Sequence, residues 1–292
     1  MRYFSTFTGI GGFEVGIQRA DPAAEFVGYS EIDPYASAIY DYHFKNKGVK
    51  NYGDITKIET DKLPEFDCLV GGFPCQAFSI AGKRRGFGDT RGTLFFDLAR
   101  ILQAKRPRLF IFENVKNLLS HDHGRTFATM LATLDELGYS VQWQVVDSRG
   151  VNVPQHRQRV IIVGNYGEEP VGPVLPIRRA EGETAKKISE IGTHYGGFLT
   201  ARAFLPPGSA PTLTVSGANR IHILLPNGNF RRLTPVECER LQGFDDDWTK
   251  YGLYSDGVRE MSDSRRYKAC GNAVTTKIIE LVARRLLEAI HE

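Results

Sequence analysis

The chain has 292 residues, 41 % hydrophobic and 24 % charged, which leaves room for one large globular domain with a smaller second one and excludes a disordered chain. Its formal net charge is only +3, so any nucleic-acid contact has to come from local concentrations of charge. The four cysteines, Cys68, Cys75, Cys238 and Cys270, include no C-x-x-C pair, which argues against a disulfide framework and for a reduced, cytoplasmic setting.

In chain order, YFSTF at 3–7 reads as a strand, followed by a glycine turn and a helical pattern to about Ala20. EFVGYSEID at 25–33 and FDCLVGG at 66–72 read as the next strands, then RLFIFENV at 108–115, SVQWQVVD at 140–147 and RVIIVG at 159–164. LFFDLARILQAK at 94–105 and TFATMLATLDELG at 126–138 carry helical periodicity between them. Strands alternating with helices predict a doubly wound, mostly parallel α/β sheet over 1–164. From 165 to 230 the chain turns rich in Gly and Pro without a helical period, with short strands expected at TLTV (212–215) and IHILL (221–225). TPVECERLQGF at 234–244 has Thr234 as N-cap, Pro235 at the first helical position and Glu237 to complete a capping box. VTTKIIELVARRLLEAI at 274–290 closes the chain as an amphipathic helix. The division expected is a catalytic and cofactor-binding unit at 1–164, a smaller irregular unit with its bracing segment at 165–266, and a returning helical segment at 267–292. The N-terminus lacks the apolar core of a signal peptide, and runs such as LFIF and VIIV are too short to span a bilayer, so no membrane partner is expected.

Four segments carry candidate chemistry. In FSTFTGIGGF at 4–13 a strand runs into Gly9, Gly11 and Gly12, which permit a tight turn beside a nucleotide-like ligand. The spacing is not G-x-G-x-x-G, so the dinucleotide fingerprint is absent, which counts against a nicotinamide-dependent oxidoreductase. Glu31 ends the second strand, where an acid can accept from a ribose diol. In GGFPCQAFS at 71–79 a strand ends in two glycines, Pro74 and Cys75, at the edge where open α/β sheets bind ligands. A lone cysteine there is more often a buried small hydrophobe. The next segment reverses that reading: KRRGFGDTRG at 83–92 sets Lys83, Arg84, Arg85 and Arg91 against Asp89, a basic, glycine-hinged loop suited to a phosphate backbone and able to favour the thiolate. Glu113, in FENV at 112–115, ends another strand in line with Cys75, and a carboxyl there can hold or transfer a proton. In VPQHRQRVIIVG at 153–164, Arg157 and Arg159 alternate toward a strand and can share one side. His121, Asp122 and His123 have no further ligand at metal spacing, and no metal is expected.

Taken together, these segments resemble the cytosine-5 DNA methyltransferases, especially the bacterial restriction–modification type, over nearly the whole chain outside about 165–230. FTGIGGFEVG resembles the family's donor-binding segment, SEIDPYA the ribose-binding one and GDI at 53–55 the adenine-contacting one. GGFPCQAFS matches the nucleophile segment almost letter for letter, ENVKNL the Glu-Asn-Val box and PQHRQR the Gln-x-Arg-x-Arg box. RRLTPVECERLQGF and YKACGNAV complete the set in the family's order. The resemblance implies the S-adenosylmethionine-dependent methyltransferase type of fold with a smaller recognition domain, and S-adenosylmethionine as donor. Cys75 would be the nucleophile on a flipped-out cytosine, with Glu113 at its N3 and amine, Arg157 on the base and Arg159 in a positioning role. Phe7, Gly9, Ile10, Gly11, Gly12, Glu31, Ile32, Asp54, Ile55, Pro74 and Asn272 would surround the donor.

Lys83, Arg84, Arg85 and Arg91 would contact duplex DNA, and recognition would fall to 165–230. Between 178 and 232 eight basic residues face three acidic ones; Arg202 and Arg220 are the candidates for base-edge contacts. PTLTVSG at 211–217 resembles a Thr-Val element of such recognition domains, in a region shorter than is usual for them. The expected partners are double-stranded DNA and, functionally, a cognate restriction endonuclease, with the protein itself a monomer. An RNA-modifying relative of the same fold is the nearest alternative; the basic segment favours DNA.

Overall fold

The computed structural model describes residues 1–45, 48–74, 94–167, 172–177, 203–204, 210–213, 222–224 and 230–291. Six strands form the main sheet: β1 (Arg2–Thr6), β2 (Glu25–Ser30), β3 (Cys68–Gly72), β4 (Leu109–Val115), β5 (Tyr139–Asp147) and β7 (Gln158–Tyr166). Their order is β2-β1-β3-β4-β7-β5. β2, β1, β3 and β4 pair in parallel, and β7 runs antiparallel to both β4 and β5, so one strand of the six is reversed and the expected mostly parallel sheet is met. The apolar runs in β3 and β4 are buried on both faces, as strands covered by helices on each side must be.

Alternation along the strands divides the core in two. Tyr3, Cys68, Leu109 and Ile111 face one side, with α1 (Gly12–Ala20), α2 (Pro34–Phe44) and α7 (Thr276–His291). Phe4, Leu69, Phe110 and Phe112 face the other, with α3 (Leu94–Lys105) and α4 (Arg125–Glu136). α1 and α7 touch closely because Gly12 and Gly16 share one face of α1. A Cβ on Gly16 would stand 2.6 Å from Ile279, and one on Gly12 2.6 Å from Val274.

The 230–272 stretch is fastened to this frame. The capping box expected at α5 (Pro235–Gln242) is present: Thr234 Oγ1 accepts from Glu237 N at 3.2 Å and Glu237 Oε2 from Thr234 N at 2.7 Å. α6 (Asp263–Asn272) is joined to α5 by buried Arg266, whose Nη2 lies 3.0 Å from Glu239 Oε1. Phe244 and Met261 enter the same core as α1, α2 and α7, and Trp248 Nε1 donates to Ile10 O at 2.9 Å. A hairpin, β12 (Tyr251–Tyr254) and β13 (Gly257–Glu260), packs on α2. Of the intervening region, short strands β8 (Ala203–Phe204), β10 (His222–Leu224) and β11 (Phe230–Arg232) form a small sheet, so the strand expected in IHILL is there. β9 (Ala210–Pro211) pairs with β6 (Gln155–His156), two residues ahead of the strand expected at TLTV, whose last two residues lie outside the described set. Among the described residues no helix is long and apolar enough to cross a membrane, and no cluster of three metal-ligating side chains occurs.

Candidate active site

The carboxyl ends of β1 to β4 converge on one edge of the sheet, and the reversed β7 begins there. Register brings Gly72 of β3 opposite Glu113 of β4, and Val115 opposite Arg159 of β7. A cavity of about 410 Å3 opens along this edge. Its two ends differ in chemistry.

At the β1–β2 end, Phe7, Gly9, Ile10 and Glu31 line the cavity, with Asn272 from α6. Phe7 turns the chain in the left-handed region (φ 52°), and Gly9 follows at φ 55° with no atom within 4 Å of where a Cβ would stand. The absent side chain leaves space at the cavity wall. Glu31 is fixed rather than free. Its Oε2 accepts from Gly9 N at 2.8 Å, and its Oε1 from Ile32 N and Asp33 N, both at 2.8 Å. A carboxylate has about four acceptor sites, so it retains room for a ligand hydroxyl.

At the other end are Gly72, Phe73, Pro74, Glu113, Arg157 and Arg159. Arg159 Nε lies 2.7 Å from Glu113 Oε1, and both residues are only 9 % exposed. A Cβ at Gly72 would stand 3.1 Å from Glu113 Oε2, close enough that the carboxyl would have to yield by a few tenths of an ångström. Asn114 Nδ2 donates to Phe73 O at 3.0 Å and so braces the strand end that leads through Pro74 into Cys75.

Arg157 is placed differently from the base-contacting role expected of it. It is 2 % exposed, and its guanidinium donates to the carbonyls of Leu213 (2.7 Å), Ala273 (2.7 Å) and Gly271 (3.4 Å). Burial, and secondarily the cation of Arg159, lower its pKa to about 9, so it stays charged at neutral pH. With both terminal nitrogens committed to backbone, it ties three chain segments together. The arginine beside the acid is Arg159, while both arginines line the cavity.

The remaining expected residues fall in three groups. Gly11 and Gly12 stand back from the cavity lining; a Cβ on Gly11 would meet the Phe44 ring at 2.5 Å and one on Gly12 the Val274 side chain at 2.6 Å. Ile32 stands 72 % exposed, and Ile55 is buried in the core on the α3 face. Asp54, also off the cavity lining, caps a short turn by accepting from Thr56 Oγ1 (2.8 Å) and Thr56 N (3.0 Å), contacts that hold its carboxyl below the usual range. Cys75, Lys83, Arg84, Arg85, Arg91, Arg202 and Arg220 lie outside the described residues.

Among the cavity residues not singled out from the sequence are Asp33 and Tyr35, which stand in SEIDPYA, Lys268, which stands in YKACGNAV, and Arg265. Asp33 precedes Pro34 and passes for an ordinary helix cap, which it also is. Arg265, Lys268 and Asn272 are three and four residues apart, a spacing that puts them on one face of α6, so helical periodicity could have found the first two from the third.

An open α/β sheet with a glycine turn, an acid after β2 and an acid–arginine pair at the strand ends defines an α/β methyltransferase framework. The family model for C-5 cytosine-specific DNA methylase matches residues 1–199 and 178–288. The type II methyltransferase M1.ScrFI of Lactococcus lactis subsp. cremoris is 37 % identical over 98 % of this chain and 78 % of its own length. M.NlaX of Neisseria lactamica is 35 % identical over 97 % of this chain and 95 % of its own. The S. pombe Dnmt2 methyltransferase structure superposes with a TM-score of 0.75 at 17 % identity, covering all of both chains, a likeness of fold. The chain belongs to the C-5 cytosine-specific DNA methylases. It is an enzyme that uses a methyl donor to methylate carbon 5 of cytosine, with DNA as substrate.

Proposed function

We propose that the cavity takes S-adenosylmethionine at its β1–β2 end and a cytosine turned out of duplex DNA at its β3–β4–β7 end, with Cys75 as the nucleophile. One observation supports this most directly: the Glu113–Arg159 pair and the Pro74 strand end share a single cavity with Glu31 and Gly9. The donor end fits the group, since it joins the rings and chains of Phe7 and Ile10 to a fixed carboxylate and the open wall at Gly9.

The chemistry follows from cytosine's weak nucleophilicity at carbon 5. The Cys75 thiolate adds to carbon 6 and forms a C–S bond, which shifts electron density to carbon 5 and the ring's N3 and O2. Glu113 places its carboxyl at N3 and the exocyclic amine, where a proton balances the added charge. Arg159, held by Glu113, presents its remaining N–H groups to the base oxygen. S-adenosylmethionine supplies an electrophilic methyl group. Once carbon 5 carries the methyl, its proton passes to water, the C5–H pair forms the 5,6 double bond, and the C–S bond breaks with its pair returning to the Cys75 sulfur as thiolate. Turning the base out costs a few kcal/mol, which the basic segment 83–91 offsets by holding the opened strand.

Cys75 is also favoured by what the other cysteines are. Cys68, Cys238 and Cys270 are buried, and burial pushes each thiol well above its ordinary pKa, away from thiolate. The test has two stages. Bisulfite sequencing of DNA from cells expressing the protein identifies the methylated sequence. A duplex carrying 5-fluorocytosine at that position should then trap a denaturation-resistant adduct with the wild-type protein and none with Cys75→Ala. An adduct that survives in Cys75→Ala would remove the nucleophile assignment.

A further inference from the structure

Two contacts on the cavity lining join segments about 230 residues apart. Lys268 Nζ of α6 lies 2.6 Å from Asp33 Oδ2. Three residues earlier on the same helix face, the Arg265 guanidinium stands 3.3 Å over the centre of the Tyr35 ring. All four residues line the cavity. On one side, Asp33 and Tyr35 lie just after Glu31, the fixed acid of the donor end. On the other, Lys268 precedes Asn272 by one helical turn. The two helices otherwise rest on different supports, α2 against the β12 strand and α6 against α5.

We infer that Asp33–Lys268 and Tyr35–Arg265 form a two-point latch across the donor end of the cavity, setting how fast donor enters and demethylated product leaves. This rests on the reading of that end as the S-adenosylmethionine site.

The argument is one of position and of strength. A bridge between the two walls has to open, or be skirted, whenever a ligand seated beneath it exchanges. The ion pair is not deeply sealed: the Lys268 side chain is 49 % exposed and that of Asp33 26 %. Pairs of that exposure are weak and break readily, which suits a latch and not a permanent tie. The Asp33 side is nonetheless pre-positioned. Its Oδ1 caps α2 by accepting from Tyr35 N at 2.9 Å and Ala36 N at 3.3 Å, which leaves Oδ2 for Lys268. The arginine–aromatic contact keeps its cation over a ring face, an interaction that desolvation strengthens. The bridge is also chemically apt for the donor's amino-acid end, which carries one carboxylate and one ammonium. As either wall loosens, the ligand can offer Lys268 an anion or Asp33 a cation in exchange.

Two variants separate this role from a merely structural one. Asp33→Asn keeps the helix cap, since asparagine caps as well as aspartate, and removes the charge. Lys268→Met keeps the apolar stem and removes the ammonium. Stopped-flow dissociation of S-adenosylmethionine and of S-adenosylhomocysteine from the full-length protein should speed up about 1.5- to fivefold in each, the range expected for loss of a partly exposed contact. KM for S-adenosylmethionine should rise while KM for duplex DNA holds. The Asp33→Asn/Lys268→Met double variant should be no faster than the faster single, because both remove the same contact. Tyr35→Leu should accelerate release independently. Unchanged dissociation rates in both single variants, or additive effects in the double, would overturn the latch. If the wild-type protein bound neither compound in calorimetry, the donor reading would fail, and that result is separate from failure of the latch.

Discussion

Arg157 and Arg159 are two residues apart, and burial sets them different tasks. Arg159 pairs with Glu113 at the cavity wall, whereas Arg157 spends its donors on three backbone carbonyls. Arg159→Met should therefore abolish methyl transfer with the smaller loss in the thermal midpoint, from the Glu113 carboxylate it leaves unpaired at the cavity wall. Arg157→Met should lower the midpoint and the activity together, because it strands buried carbonyls that cost about 1–3 kcal/mol each when unpaired. The loss is partly offset by no longer burying a cation. Thermal denaturation alongside a methyl-transfer assay tests the pair; equal stability losses would refute the division. The motif PQHRQR showed that two arginines approach one strand, but not which meets the ligand, because their partners Leu213, Gly271 and Ala273 are distant in sequence and contribute only backbone. Cys75→Ala should abolish turnover, whereas Cys68→Ala, Cys238→Ala and Cys270→Ala should cost stability only, as for any buried small hydrophobe. The comparison is read from rate and melting point on the same preparations.

Helices and strands with one apolar face declared themselves in the sequence. α3 runs Leu94–Lys105, matching its apolar periodicity, and the six sheet strands fall on the six apolar runs. α6 did not declare itself. DSRRYKACGN is mostly polar, and its most buried long side chain, Arg266, is accommodated only because Glu239 and Thr249 of a different segment meet it. The β12–β13 hairpin carried an Asp-Gly turn signal at Asp256–Gly257, and its strands are too short and too polar to stand out. α5 was legible to the residue because capping is local chemistry. Thr234→Ala should lower stability by about 1 kcal/mol, within the ordinary cost of losing such a cap. Urea unfolding measures it, and an unchanged midpoint would show that the Arg231–Glu237 contacts alone hold the helix start.

At the scale of the whole molecule, the catalytic edge and the stretch expected to read DNA meet at a few fixed joints, and these decide what can be exchanged. Gln144 of β5 grips the backbone of Ile177 from both sides, accepting from its N at 2.6 Å and donating to its O at 3.2 Å. Arg231 is held by Glu237, and the Leu213 carbonyl by Arg157. Positive charge is concentrated between these joints. Phosphate contacts alone would bind any sequence; on the reading of that stretch as the recognition region, base-edge contacts within it supply the choice, each worth about 1–3 kcal/mol against a wrong pair. Replacing 178–230 with the corresponding segment of a relative of different target should therefore move the methylated sequence to that of the relative. Turnover should persist, because Glu113, Arg159 and the donor end lie outside the exchanged segment. The joint at Leu213 is made by a backbone carbonyl, so a grafted segment can supply it whatever residue stands there. Bisulfite sequencing of DNA from cells expressing the chimaera reads the outcome directly. An alanine scan of 198–222 on cognate and near-cognate duplexes locates the readers, with Arg202 and Arg220 expected to lose discrimination first. If the chimaera kept the parent's target, or if every alanine variant lost activity equally on all sequences, recognition would have to lie in the basic segment at 79–91 instead.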